Sequence, residues 1–339
     1  MLALPFAIKD YEIHTTVSIG VALYDKNVKE PNDVLSQADL ALYRAKDGGR
    51  NQFHFHSIEL DTKVRERVTI AEELHAALQN HELELYYQPQ VAIPSGRIIG
   101  VEALMRWNHP RRGMILPEVF IPIAEKTGLI VAMGRWAIEA ACRQMQLWRD
   151  IGIEPSSMGV NVSAVQIRSS PEFDQEIEDV LHRTGTDPKA LELELTESIL
   201  METTETHNEI LHRLRKMGVR IAIDDFGTGY SSLQYLQSYP ITRIKIAQQF
   251  MREAADFPND AAIVRATIGL AQGLKIDLIA EGVETQAQAT FLNAAGCPAI
   301  QGYYFSRPVN AKHMTVLLRQ KKFDYLRRTA QPLSQHALQ

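Results

Sequence analysis

Cysteine is scarce: Cys142 and Cys297 are the only two in 339 residues. They lie far apart and show no metal-ligand spacing, which argues against a disulfide-stapled scaffold and against a cysteine-bound metal. A reducing cytoplasm is the expected location. Long apolar runs are missing as well. None approaches the roughly 18 to 20 residues a membrane helix needs, so no spanning segment is expected. The apolar patch Met1 to Phe6 is short and lacks a basic leader, unlike a secretory signal. A strong charge of either sign is also absent. With 36 Lys and Arg against 41 Asp and Glu, the formal net charge is −5, which does not mark the chain as a binder of nucleic-acid polymers. No Walker loop, Ser-His-Asp arrangement or dinucleotide fingerprint is found, and Gly227-Thr228-Gly229 is weak as a phosphate cradle.

What is present is a chain that is 45% hydrophobic, enough for one large domain and a smaller piece. Residues 1–57 read as a small α+β fragment. Thr15 to Tyr24 is β-branched, Pro31 to Lys46 has helical spacing, and Asn51 to His56 alternates as a short strand. A charged amphipathic stretch over 58–80 reads as a helical linker. Over 81–322, strand-like and helix-like segments alternate. Strands are expected near Leu85–Gln90, Ile98–Met105, Met158–Ser163, Leu191–Leu195, Val219–Asp224, Arg243–Ile246, Asp277–Glu281 and Ala299–Phe305. Helices fall between most of them, for example Met133–Asp150, Thr203–Met217 and Asp260–Gly273. Eight strands with intervening helices fit an α/β (β/α)8 TIM-like barrel, with a doubly wound open sheet as the runner-up. Residues 323–339 form a polar tail.

In such a barrel, chemistry sits at the carboxyl ends of the strands. Those ends supply Glu102, Asn161, Glu194, the adjacent Asp224 and Asp225, Lys245, Glu281 and Gln301. Asp224-Asp225 follows the apolar run Ile221-Ala222-Ile223; the pair is either a cation site or an ordinary aspartate-rich turn. In Leu191 to Glu197 the leucines share one face, and Glu192 and Glu194 the other, as an exposed strand would also have it. Five inward carboxylates with only Lys245 to offset them need further positive charge, and two divalent cations would supply most of it. The donors are all oxygen, which favours Mg²⁺ or Mn²⁺ over Zn²⁺. Two such ions suit hydrolysis of a phosphodiester.

With these residues in view, the chain resembles the EAL-domain cyclic-di-GMP phosphodiesterases. The likeness runs from about Val68 to Lys321. It is carried by Glu102-Ala103-Leu104-Met105-Arg106-Trp107, Asn161-Val162-Ser163, Glu194-Leu195-Thr196-Glu197, Asp224-Asp225-Phe226-Gly227-Thr228-Gly229, Glu281-Gly282-Val283-Glu284 and Gln301-Gly302-Tyr303-Tyr304-Phe305. The resemblance implies a barrel with one strand reversed and two Mg²⁺ or Mn²⁺ ions hydrolysing cyclic-di-GMP to linear pGpG. It implies that Glu102, Asn161, Glu194 and Asp224 hold one metal, and that Asp224 and Asp225 contribute to the second. Glu281 would be base or water-mediated ligand, Lys245 would orient water or phosphate, and Gln301 would support the site. Gln88, Arg106 and Glu284 would serve the substrate. The loop Phe226 to Leu233, steadied by Glu197, would couple metal binding to a homodimer. A bracing role alone is the competing reading for Glu197 and Glu284.

One position departs from the pattern. The family usually has Asp two residues after the lysine, whereas Lys245-Ile246 is followed here by Ala247. A catalytically weakened receptor for the dinucleotide is therefore the alternative to an active enzyme. The N-terminal fragment is similar to the end of a GGDEF domain, through Val17-Ser18-Ile19-Gly20 and Ala38 to Lys46. The Gly-Gly-Asp-Glu-Phe signature is absent, so no synthesis of cyclic-di-GMP is expected of it.

Overall fold

Short strands rich in Ile, Val and Leu leave backbone donors and acceptors open on both edges, and closing the sheet on itself is one way to pair them all. The computed structural model describes residues 6–8, 11–13, 15–24, 31–153, 155–197, 199, 205–228, 236, 238–253, 258–320 and 322–323. These fall into two units, 1–76 and 77–339. In the first, β1 (Phe6–Ile8) pairs antiparallel with β2 (Tyr11–Ile13). There β3 (Ile19–Val21) pairs in parallel with β4 (Phe53–Phe55) across the helix Pro31–Asp47. The strand expected over Thr15 to Tyr24 shrinks to these three residues because its partner is itself three residues long. A helix covers Ile58–Gln79, where the sequence suggested one.

The second unit is the barrel. Its strands are β5 (Leu83–Ala92), β6 (Ile98–His109), β8 (Met158–Asn161), β9 (Leu191–Thr196), β10 (Arg220–Phe226), β11 (Arg243–Ile246), β12 (Asp277–Ala280) and β13 (Ala299–Ile300). The ring order is β5, β13, β12, β11, β10, β9, β8, β6, and pairing of β5 with β6 closes it. That closure excludes the open doubly wound sheet. β5 runs antiparallel to both neighbours, so one strand is reversed; the remaining pairings in the ring are parallel. A short β7 (Gly113–Ile115) folds back on the end of β6 outside the ring. The strand foreseen over Ala299 to Phe305 stops after two residues, because its neighbour β12 ends at Ala280 and the chain turns at Gly302. Helices at Pro117–Thr127, Ala164–Ser169, Gln248–Glu253 and Ala311–Gln320 were not anticipated. Three of them are ten residues or shorter or sit in polar sequence, where spacing gives little signal.

Both faces of the barrel strands are buried, and it is the chemistry of the side chains that alternates, most clearly on β9. On β9, Leu191, Leu193 and Leu195 join the hydrophobic cluster that the helices cover, while Glu192 and Glu194 are buried on the opposite, inner face. The helix Leu129–Asp150 presents Met133, Ala137, Ala141, Met145 and Trp148 at spacings of three and four, an apolar stripe along one side. Each fully buried aliphatic side chain there contributes about 1.5–3 kcal/mol. No helix of the described residues is long and apolar enough to cross a membrane.

Trp148 stands edge-on to Tyr87, with ring centroids 5.1 Å apart, and its indole N–H donates to Thr315 Oγ1 at 2.9 Å. Trp148→Ala leaves that volume empty and removes the bond that Thr315 Oγ1 accepts, so it is expected to cost about 3–5 kcal/mol in urea titration. A loss below about 1 kcal/mol would mean that the barrel wall repacks and that this contact carries little.

Candidate active site

The inward faces of β5, β6, β9, β11 and the residues just past β12 and β13 meet at the carboxyl end of the parallel strands. At their centre is the fully buried Lys245. Its Nζ lies 2.7 Å from Glu281 Oε1, 3.2 Å from Asp224 Oδ1 and 3.5 Å from Glu102 Oε2, and it donates a short hydrogen bond to Glu194 Oε2. Glu102 also accepts from Asn161 Nδ2 at 2.7 Å and from Gln301 Nε2 at 2.5 Å. Gln301 Nε2 reaches Gln88 Oε1 at 3.0 Å, and Gln88 Nε2 donates to the Ser306 carbonyl at 3.0 Å. Eight of the residues expected at the site therefore form one connected network.

A local irregularity brings the two aspartates to this mouth. Between Ile223 and Phe226 the pairing of β10 with β11 slips, so that Asp224 and Asp225 together stand opposite Lys245. That is a β-bulge, and Asp225 takes the left-handed conformation with φ of +52°. Aspartate tolerates this conformation better than most residues, and the Asp225 N–H donates to Asp224 Oδ1 at 2.9 Å. Asp224 turns to Lys245, while Asp225 lies beside it on the more open side of the mouth. Glu197, buried one strand away, accepts from the Gly227 N–H at 3.0 Å and ties the start of the following loop. Residues 229–235, most of the loop expected to couple metal to dimer, lie outside the described residues.

Arg106 and Glu284 stand apart from the network. Arg106 sits on β6, its Nη1 donating to the Met105 carbonyl at 2.8 Å and its guanidinium 5.8 Å from the Tyr86 ring centre. Glu284 is exposed, and its backbone N–H caps onto Gln288 Oε1 at 2.8 Å. Gly159 on β8 was not foreseen as part of the site. A Cβ there would stand 2.1 Å from Glu194 Oε1, so the carboxylate uses space that only glycine leaves. Beneath the network is a second polar layer that sequence reasoning also missed. Arg243 Nη1 donates to Glu192 Oε1 at 2.8 Å and to Gln90 Oε1 at 3.0 Å. The signal for it was available: Arg243 and Glu192 each precede an inward residue by two positions.

Four carboxylates against one ammonium set the electrostatics. Burial opposes the charge of Lys245, but Asp224, Glu102, Glu194 and Glu281 hold its ammonium well above the ordinary lysine value. Burial would raise Glu102, yet Lys245 and the hydrogen bonds from Gln301 and Asn161 outweigh it and keep this carboxyl below the usual range. Glu194 is pushed well above by burial and the charge of Glu102; Glu281 is pushed up by burial and Asp224. Asp225 is raised by partial burial and by Asp224. Among the described residues, Glu194 Oε1 and Gln301 Oε1 are buried with no hydrogen-bond partner. Among the described residues no three His, Cys, Asp or Glu side chains form a ready cage for an ion. Oxygen donors, surplus negative charge and an orphaned carboxylate oxygen nevertheless suit a hard divalent cation, whose binding would displace the protons held on Glu194 and Glu281.

A closed α/β barrel with acids around a buried lysine at its strand ends defines a class of proteins, and the comparisons narrow it. Residues 71–308 match the family model for the EAL domain, and residues 1–52 that for the GGDEF domain of diguanylate cyclases. The chain belongs to the EAL-domain family, with part of a GGDEF domain at its N-terminal side. It is 43% identical over 310 residues to the bifunctional diguanylate cyclase/cyclic di-GMP phosphodiesterase MucR of Pseudomonas aeruginosa, covering 91% of this chain and 45% of that protein. It is 38% identical over 310 residues to the cyclic di-GMP phosphodiesterase PdeR of Escherichia coli, covering 91% of this chain and 46% of that one. Among solved structures, the PaMucR phosphodiesterase in complex with c-di-GMP aligns with a TM-score of 0.70 and 45% identity, over 73% of this chain and 99% of that one. The chain spans less than half the length of these curated relatives.

The raised Glu194 carboxyl has a consequence for stability. The unfolded group ionises near 4.5 while the folded one keeps its proton to higher pH, so above that value rising pH favours the unfolded chain. Glu194→Gln cannot ionise and is expected to melt higher than the parent chain in EDTA near neutral pH, with the gap closing toward pH 4.5. Thermal melts over a pH series check this. A gap independent of pH, or a parent chain that melts higher at neutral pH, counts against it.

Proposed function

We propose that the chain is a divalent-metal-dependent phosphodiesterase that hydrolyses cyclic-di-GMP to linear pGpG. The observation that carries this reading is the convergence of Glu102, Glu194, Asp224 and Glu281 on Lys245 at one barrel mouth. Relatives named as cyclic di-GMP phosphodiesterases support the substrate.

In this proposal Glu102, Asn161, Glu194 and Asp224 hold one Mg²⁺ or Mn²⁺, and Asp224 with Asp225 contributes to a second. When bound, the two ions supply an acidified water and offset charge on the phosphate oxygens. The chain's own residues do the rest. Glu281 accepts the proton of the attacking water as its oxygen bonds to phosphorus, and the 3′ oxygen leaves as its bond to phosphorus breaks, taking a proton from solvent while Glu281 returns its own to solvent. Lys245 orients that water or the phosphate and shares its charge among the acids. Gln301 fixes Glu102 and Gln88 together, Gln88 and Arg106 contact the dinucleotide, and Glu284 serves the same rim. Glu197 braces the loop after Phe226, and a homodimer is part of the same proposal. Ala247 favours a second reading, a receptor that binds the dinucleotide without turning it over. It is buried directly after β11 and places a methyl group where a carboxylate is usual in the family.

Incubation with cyclic-di-GMP and Mn²⁺, followed by chromatography, is expected to yield pGpG. Glu102→Ala should lower the rate on the order of 10²–10³-fold. Binding without product at high protein concentration would instead establish the receptor, and Ala247→Asp should then create activity.

Gly159→Ala offers a test of geometry alone, since the added methyl stands 2.1 Å from Glu194 Oε1. Displacing that ligand is expected to cost roughly 10–100-fold in metal affinity or rate while the far-ultraviolet circular dichroism stays unchanged. An unaffected rate would remove Glu194 from the metal site.

A further inference from the structure

The opposite end of the barrel has the reverse electrostatics. A cleft of about 390 Å³ opens there, lined by Lys189, Arg215, Arg220, Thr242, Lys275 and Asp277. Arg220 opens β10 and lies on the same face as Ala222 and Asp224; Asp277 opens β12 and lies on the face of Ile279 and Glu281. The inward-facing rows that end in acids at one mouth thus begin with this cleft at the other. On β10 the two ends are four residues apart, or ~13 Å. Between them the buried Arg243–Glu192 pair closes the interior.

Four cationic side chains face one carboxylate in this cleft, on a chain whose formal net charge is −5. Among the described residues none of the four cations forms an ion pair, although Arg135, Arg143, Arg183 and Arg213 elsewhere on the surface each have a carboxylate partner. They come from four separate segments: the turn Pro188–Ala190, the end of the helix Glu205–Met217, the start of β10 and the residue after the helix Pro258–Leu274. Four segments delivering unpaired positive charge to one concavity do not follow from a solvated helix face, where charges of both signs alternate along a single element.

We propose that this cleft is a second ligand site, separate from the acidic mouth, that binds a small molecule carrying two or more phosphate groups. Arg215 and Arg220 provide forked donors that match phosphate oxygens two at a time, and Lys189 and Lys275 add point charges at the rim. The volume suits a ligand of nucleotide size. Asp277 disfavours a ligand that fills the cleft with negative charge throughout and leaves room for a neutral or hydrogen-bonding portion on its side. This assignment stands whether or not the acidic mouth hydrolyses cyclic-di-GMP.

Isothermal titration of the whole chain with inorganic pyrophosphate in EDTA tests it, since chelation removes any metal-borne binding at the acidic mouth. Saturable binding of one pyrophosphate per chain is expected, weakened about tenfold or more by Arg215→Gln with Arg220→Gln. Lys189→Gln with Lys275→Gln changes only exposed side chains and should weaken binding in the same direction, which keeps the test valid if the arginine pair variant fails to fold. Lys312→Gln, on a distant helix, should leave binding unchanged. Absence of saturable binding overturns the proposal, as does equal affinity in the parent chain and the lysine pair variant.

Discussion

One ammonium group, on Lys245, is the shared counter-charge for four carboxylates inside the barrel. Removing an ammonium from water is expensive, and only close, hydrogen-bonded partners repay it. Here the repayment overshoots: Lys245 stays charged, and Glu194 and Glu281 resist ionisation because their neighbours already supply more negative charge than one lysine can offset. The site is thus arranged around an electrostatic deficit. A structural ion pair would balance its charges; this cluster leaves Glu194 Oε1 buried without a hydrogen-bond partner among the described residues. That imbalance is the physical reason the mouth fits a divalent cation and the reason the proposed chemistry needs one.

The frame that permits the deficit is itself polar inside. Below Lys245 and Glu194, Arg243 and Glu192 repeat the pattern one layer down, again with an acid on β9 and a base on β11, the strands on either side of β10. Glycine at position 159 gives Glu194 its room, and the bulge at Asp224-Asp225 lets two consecutive residues stand at one strand end. The hydrophobic stabilisation lies outside this polar axis, in the layer between strands and helices where Leu191, Leu193, Leu195, Met145 and Trp148 pack. Separating the two layers keeps the cost of buried charge away from the contacts that hold the barrel closed.

Most of the barrel was legible in the chain because short apolar, β-branched segments recur between helix-spaced ones, and some of them alternate with a two-residue period. Leu191 to Glu194 is the clearest case: leucine and glutamate alternate, and the structure assigns one to the helices and the other to the interior. The acids at the strand ends were legible too, since Glu102, Asp224 and Glu281 each follow an apolar run and Glu194 continues the leucine–glutamate alternation. Less legible were elements whose residues carry no period long enough to recognise. β13 keeps only two residues, and the helix Gln248–Glu253 only six. Gly159 could not be recognised as part of the site, because a glycine states only that space is needed and not what fills it.

The order of residues by itself determined the alternation of strands and helices, the family and the oxygen-only character of the candidate ligands, because each depends on spacing and side-chain type along the chain. Ring closure of β5 on β6 decided which inward rows face one another across the interior. It made Lys245 the partner of Glu102, which lies far away in sequence on another strand, and it gathered Lys189, Arg215, Arg220 and Lys275 around one cleft at the opposite rim. Those outcomes depend on distance between strands that are remote in the chain, and such distances exist only once the sheet has closed.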